Sequence, residues 1–248
     1  MGVRIEQLQR EIDRVQYGRY AGHPALPPAD YKLAALTKTG RTLYTFCMCP
    51  GGEVIPAASC PGGVVTNGMS LHARDGQNAN AALLVSVCPD DLSDDLFAGF
   101  RFQNDLEQRA FVMAGGGFKA PAQTVADFLK GQKSGGFGRV RPSYARGVCP
   151  SDLSDLLPPV FCETIRDGLA ILDGKLSGFA AKDAVLTGPE SRSTCPVRIL
   201  RGDDRQSAVR GIFPVGEGAG YAGGITSSAM DGIRSALAYL TFLKGEKQ

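Results

Sequence analysis

Gly211-Ile-Phe-Pro-Val-Gly216-Glu217-Gly218-Ala219-Gly220-Tyr221-Ala-Gly223-Gly224-Ile225 is the stretch on which the reading of the fold turns. It contains a literal G-x-G-x-x-G, Gly218 to Gly223, after an apolar run and before a helical one, the context that motif requires. Glycines at such a turn let the backbone approach a phosphate or a ring, and the helix that follows presents free N–H groups at its positive end. Read alone, the motif binds a dinucleotide pyrophosphate. Its position argues against that. Only 25 residues follow Gly223, too few for the rest of a βαβ unit. Glu246 has the spacing of a ribose-binding acid but stands in a charged tail with no strand before it. Two readings stay open: a cofactor-facing turn near the C-terminus, or a tight packing turn between strand and helix.

Outward from this turn, Pro196–Leu200 and Val209–Val215 read as strands, and a helix is expected from about Gly224 to Leu243. The middle of the chain reads as helical. Phe102, Leu106, Arg109, Ala110 and Met113 support a helix stopped by Gly115–Gly117, and Thr124 opens a short one through Leu129. Ser151 or Asp152 can cap another short helix, and Pro158–Leu172 is a longer one with Pro at its start. Lys130–Ser143, rich in Gly, Lys and Arg, is expected to be a surface loop. In the first half, Tyr31–Leu36, Thr42–Cys49, Glu53–Ala57, Val64–Thr66 and Ala81–Val87 are strand candidates. At the start, Ile5, Leu8, Ile12 and Val15 fall at spacings of 3, 4 and 3, which predicts one face of a helix across residues 1–20. The fold class is α+β.

Composition narrows the function classes. With 43% apolar residues, the chain of 248 residues can bury a sizeable core. Its 27 basic and 25 acidic side chains leave a net charge of +2, scattered rather than clustered, which gives no support to a nucleic-acid or membrane-surface role. No apolar run is long enough to span a membrane, and the opening segment is charged, unlike a signal peptide. Seven cysteines without a framework of spacings suggest a reduced, cytoplasmic protein. A metal centre is not expected: there is no C-x-x-C, and His23 and His72 are the two histidines. Neither a nucleophile elbow nor a P-loop occurs.

The 211–225 segment resembles the C-terminal flavin-contacting segment of two-dinucleotide-binding-type FAD oxidoreductases, and more closely the uncharacterised FAD-dependent dehydrogenases of bacteria. Four other stretches add to the resemblance: Thr45-Phe-Cys-Met-Cys-Pro-Gly-Gly52, Val65-Thr-Asn-Gly-Met-Ser-Leu-His-Ala-Arg-Asp-Gly76, Lys119-Ala-Pro-Ala-Gln-Thr-Val-Ala-Asp-Phe-Leu129 and Thr187-Gly-Pro-Glu-Ser-Arg-Ser-Thr-Cys-Pro-Val-Arg-Ile199. Such proteins begin with a strand, a G-x-G-x-x-G turn and a helix that hold the FAD diphosphate, and this chain shows none near its start. The resemblance therefore implies the C-terminal half of a flavoprotein. Residues 1–185 would be an inserted substrate-side domain, and 186–248 the return into a Rossmann-like FAD-binding domain. FAD is the implied cofactor of the complete protein, bound weakly or not at all by this chain alone. The implied reaction is hydride transfer between flavin and an unidentified small-molecule substrate. The competing reading is a non-catalytic small-molecule-binding module that has lost its cofactor-binding half. Oligomeric state is not fixed by either.

The resemblance places Gly216, Glu217, Gly218, Ala219, Gly220, Gly223, Gly224 and Ile225 against the cofactor, with the helix after Gly224 aimed at the pyrimidine edge of the flavin. Residue chemistry supplies further candidates. His72 has a side-chain pKa range suited to taking a proton beside hydride transfer, although its segment also reads as a polar loop. Cys47 and Cys49 form a C-x-C on a predicted strand, where a period of two puts both thiols on one face. Same-face neighbours on a strand lie roughly 6.5–7 Å apart, too far for a disulfide. They read either as substrate-side contacts or as small packing residues. Arg192 and Arg198, an even number apart on a predicted strand near Glu190, can clamp an anionic substrate or the cofactor diphosphate, or form surface ion pairs.

Overall fold

A computed structural model describes residues 1–245, so Glu246 lies outside the described residues. The chain forms two compact units: residues 1–91 with 103–191, and residues 92–102 with 192–248. The expected border after residue 185 falls at the start of a strand that belongs to the first unit.

The first unit is built on a mixed sheet of seven strands. In chain order these are β1 (Gly2–Leu8), β2 (Ala34–Leu36), β3 (Thr42–Cys49), β6 (Asn78–Val85), β7 (Ala120–Thr124), β8 (Val148–Pro150) and β9 (Val185–Glu190). Their order across the sheet is β2-β3-β6-β1-β9-β7-β8, with every pair antiparallel except β7 and β8. A separate antiparallel ribbon joins β4 (Gly52–Pro56) to β5 (Thr66–Ser70). The helices are α1 (Gln9–Tyr17), α2 (Ala98–Met113), α3 (Val125–Lys130), α4 (Pro159–Lys175) and α5 (Ile225–Gly245). This is the α+β architecture that the sequence implies.

The helix expected over residues 1–20 is instead a strand followed by a helix, with the change at Leu8/Gln9. Val3 and Ile5 alternate with Arg4 and Glu6, a period of two that serves a strand. The charges misled: Arg4 and Glu6 look like a helix's solvated face, yet every residue of β1 is buried between β6 and β9. One face of the sheet carries α4, whose Phe161, Ile165, Leu169 and Leu172 are buried at spacings of 4, 4 and 3. Gly168 allows the close fit, because a Cβ there would lie 2.4 Å from Cδ2 of Leu43 on β3. Arg4 and Glu6 project to the other face, beneath the β4–β5 ribbon.

Several expectations hold closely. The aromatic strand runs Thr42–Cys49, Thr124 caps α3 by accepting from the Asp127 amide, and Asp152 caps a 3₁₀ turn at Leu153–Asp155. β7, β8 and β9 have no counterpart in the sequence reading, because Pro121, Pro150 and the Gly188-Pro189 pair look like strand breakers.

In the second unit, Pro196–Leu200 and Val209–Val215 are irregular rather than strands. They have no ladder partner among the described residues, and a lone strand has no way to satisfy its backbone. Ile199, Leu200, Val209 and Ile212 are accordingly at least half exposed. Segment 197–201 instead clasps the glycine-rich turn. Ile199 N donates to Ala219 O, and Arg198 Nε to Gly220 O.

Candidate functional site

Charge on the covered face of the first unit is concentrated at Arg4, which is fully buried. Its Nη1 donates to both carboxylate oxygens of Glu190 on β9, at 3.0 and 2.9 Å. Nε donates to Asn80 Oδ1 on β6 at 2.9 Å, and Nη2 to the Cys47 carbonyl at 2.6 Å. Burial pushes the Glu190 carboxyl up, and the adjacent guanidinium opposes that shift. An ion pair this buried is tolerable because the remaining N–H groups also have partners. β5 passes directly over it. A Cβ on Gly68 would lie 1.9 Å from Arg4 Nη2, so glycine is what lets the ribbon close down on the pair.

The C-x-C pair meets this network, but not with both thiols on one face. The ladder of β3 against β6 shifts between Phe46 and Cys49, and Cys47 takes φ +40°. This bulge breaks the alternation, so Cys47 is exposed and Cys49 is buried. Cys49 Sγ lies 3.4 Å from Arg4 Nη2 and 3.3 Å from the Cys47 carbonyl. Burial raises the Cys49 thiol above its ordinary range, with Arg4 acting against it. No disulfide joins any of the described cysteines. His72 sits in the exposed turn after β5, where Arg74 N closes on Leu71 O.

Arg192 and Arg198 are both exposed, in a segment that forms no strand. Arg198 lies over the Tyr221 ring at 5.1 Å as well as binding Gly220 O. Glu190, expected near them, turns inward to Arg4.

The glycine-rich turn divides by residue. Gly220 has φ +79°, and a Cβ there would meet Val197 O at 2.6 Å and Arg198 Cα at 2.9 Å. A Cβ on Gly223 would lie 3.1 Å from Ser193 O. At these two positions the close approach is made by the chain's own backbone, and Ala219 is buried beside them. Gly218 differs: it has nothing within 4 Å of a Cβ position. Glu217 is exposed, and Ile225 is 86% exposed at the first turn of α5. Gly224 N accepts no ligand-facing role by itself, since it donates to Ser227 Oγ at 3.1 Å.

Sequence reasoning missed the residue that holds this turn. Asp231 on α5 accepts from Arg201 Nη1 and Nη2, from Arg205 Nη1 and from the Gly216 amide. Those hydrogen bonds, led by Arg201, hold its carboxyl well below the ordinary range. Arg201 also stacks on Tyr221 at 3.6 Å. The available signal was the single acidic residue of α5. For Arg4 and Glu6 the signal was charge alternating with Val3 and Ile5. Among the described residues no cluster of three potential ligands is placed to hold a metal, and no helix is long and apolar enough to cross a membrane.

The mixed sheet, the ribbon over a buried ion pair and the glycine-rich turn before a long helix define an α+β protein. The chain belongs to the family of FAD-dependent proteins, C-terminal domain-like, which it matches over residues 1–193. It is also similar to an uncharacterized protein of Clostridium beijerinckii, 47% identical over 239 residues and 95% of this chain. The chain spans 45% of that relative's length.

Proposed function

We propose that this chain supplies the substrate-side domain and the C-terminal flavin-contacting segment of an FAD-dependent oxidoreductase, which transfers hydride between FAD and an unidentified small molecule. The observation that carries the reading is the apolar surface of the second unit. Leu200 is 78% exposed, Ile225 86%, Ile233 64% and Leu237 60%. So large a set of exposed aliphatic side chains in one small unit favours a further partner surface, and a flavin-binding half of the same protein is the partner this reading assigns.

The turn fits a flavin in part. Glu217 and Gly218, with Ile225 opening α5, are the residues that would hold it, because Gly218 faces open space and the helix start is favourable to negative charge, whereas the Gly216 and Gly224 amides already donate to Asp231 and Ser227. Gly220 and Gly223 would act behind them, keeping the turn tight against 193–198. FAD, when bound, supplies the hydride acceptor. His72 is the residue assigned to take a substrate proton. Cys47 in the first unit is assigned to a substrate contact, and Arg192 and Arg198 in the second unit to binding an anionic group. The fold leaves Cys47 rather than Cys49 accessible for that role.

The test compares flavin retention. The longer Clostridium beijerinckii relative should purify with FAD, whereas this chain alone should take up little from added FAD after gel filtration. A relative that neither carries nor binds flavin would leave the binding-module reading in place of the oxidoreductase. Stoichiometric flavin on this chain would show that the turn and α5 suffice without a second half.

A further inference from the structure

Asn67-Gly68 is the one Asn-Gly pair of the chain, and it stands in the strand that covers Arg4. The other asparagines, Asn78, Asn80 and Asn104, precede Ala79, Ala81 and Asp105. Register decides what holds the Gly68 amide. In an antiparallel ribbon the facing pairs alternate between hydrogen-bonded and non-bonded. Ala57 N donates to Val65 O just beyond the ribbon, so the bonded set continues through Ile55/Asn67 and Glu53/Met69. Val54/Gly68 is therefore a non-bonded pair, and Val54 N donates away from β5, to Ser143 Oγ. Pro56, which has no N–H, belongs to the same non-bonded set. The Gly68 amide thus lies outside the ladder. It donates to Oδ1 of its own neighbour, the exposed Asn67, at 2.8 Å.

We propose that Asn67 is a site of spontaneous covalent modification: the Gly68 nitrogen attacks Asn67 Cγ, and the strand over the buried ion pair acquires an aspartate or an isoaspartyl link. Solvent base takes the Gly68 N–H proton, the N–Cγ bond forms, and the Cγ–Nδ2 bond breaks with release of ammonia. The five-membered succinimide then takes up one water. Opening at Cγ gives aspartate, and opening at the main-chain carbonyl of residue 67 gives isoaspartate. The hydrogen bond to Oδ1 holds the nitrogen beside the carbon that it attacks. Glycine leaves that nitrogen unshielded, since it carries no Cβ.

The Asp-Gly pairs, which can close the same ring, are held where Asn67-Gly68 is free. Gly76, after Asp75, donates its N–H to Gly51 O at 3.1 Å. Gly168, Gly174 and Gly232 lie within α4 and α5. Packing fixes the glycine at 68, because a Cβ there would also lie 2.3 Å from Asn80 Oδ1. The same close approach gives the modification its consequence. Isoaspartate lengthens the main chain of β5 by one methylene, so Gly68 cannot keep both its place opposite Val54 and its seat on Arg4. Cys49 lies under the same ribbon, where a Cβ on Gly52 would be 3.0 Å from Cys49 Cβ. The assignment is independent of any flavin.

Incubation of the whole folded chain in mildly alkaline buffer, followed by trypsin and mass spectrometry, tests this. Cleavage after Arg41 and Arg74 releases a peptide in which Asn67 is the one side-chain amide. That peptide should gain the mass of an amide-to-acid conversion with time. Most of the product should be isoaspartate, read by methylation with protein isoaspartyl methyltransferase, while Asn78, Asn80 and Asn104 keep their amides. Because no ladder has to open, the rate should fall within about tenfold of that in the urea-unfolded chain. An amide that persists at Asn67 in the folded chain while the unfolded chain converts overturns the proposal. Conversion to aspartate without isoaspartate also overturns it, since that product needs no attack by Gly68. Asn67→Gln, which could close only a six-membered ring, should fold like the wild type and stay unmethylated; methylation at the wild-type rate refutes the assignment to Asn67. In the isoaspartyl fraction Cys49 should alkylate without denaturant, and a Cys49 that stays closed refutes the loosening of the ribbon.

Discussion

Gly220→Ala and Gly218→Ala, made separately, distinguish a turn built for its own chain from one built for a ligand. At Gly220 two costs combine. A backbone at φ +79° is the left-handed region, where a Cβ costs about 1–2 kcal/mol. The new methyl would also meet Val197 O at 2.6 Å and Arg198 Cα at 2.9 Å, both backbone atoms that move only with the clasping segment. Overpacking of this kind adds about 1–3 kcal/mol. The expected total is about 2–5 kcal/mol, or roughly 4–20 °C at about 2–4 °C per kcal/mol for a chain of this size. Gly218 has neither penalty, so Gly218→Ala should stay within about 0.5 kcal/mol of wild type. Thermal and urea unfolding of the whole chain measure both. Near-ultraviolet circular dichroism of Tyr221, whose ring meets the guanidinium groups of Arg198 and Arg201, reports on the turn itself. A Gly220→Ala protein that melts with the wild type would refute the packing argument and return that glycine to a ligand.

Other outcomes follow from the same geometry. Glu190→Ala strands a buried guanidinium and should cost about 3–5 kcal/mol, read by urea unfolding; a loss below about 1 kcal/mol would mean that Arg4 finds another counter-ion. Under native alkylation Cys47 should react quickly and Cys49 only after unfolding, with no Cys47–Cys49 bridge by mass spectrometry; equal rates would contradict the bulge. Asp231→Asn should destabilise the second unit at neutral pH. Because the Asp231 pKa is lowered on folding, the wild type's advantage should persist above the unfolded carboxyl range and shrink as pH falls into strong acid; an advantage that grows with acidity would reverse the assignment.

Local signals in the chain identified a good part of the fold. The aromatic strand at Thr42–Cys49, the caps at Thr124 and Asp152 and the long C-terminal helix are legible because each depends on neighbours within a few residues. The glycine-rich turn was legible as a turn before a helix, whereas the family match covers residues 1–193 and meets the other stretches of the resemblance. Its division into Gly218 facing open space and Gly220 packed on Val197 was not legible, since identical letters meet different surroundings.

What the sequence by itself determined is therefore the class of protein, α+β and FAD-related, together with those elements whose period or cap is local. Tertiary structure alone decided the rest. It made Gly2–Leu8 a central strand against a helical spacing of its apolar residues, because β6 and β9 bury both edges and give Arg4 its partner 186 residues away. It parted Cys47 from Cys49 by a bulge that depends on the register against β6. It left Pro196–Leu200 irregular for want of a strand beside it among the described residues. Buried charge and strand pairing are satisfied by groups distant in sequence, so no window along the chain contains the information that places them.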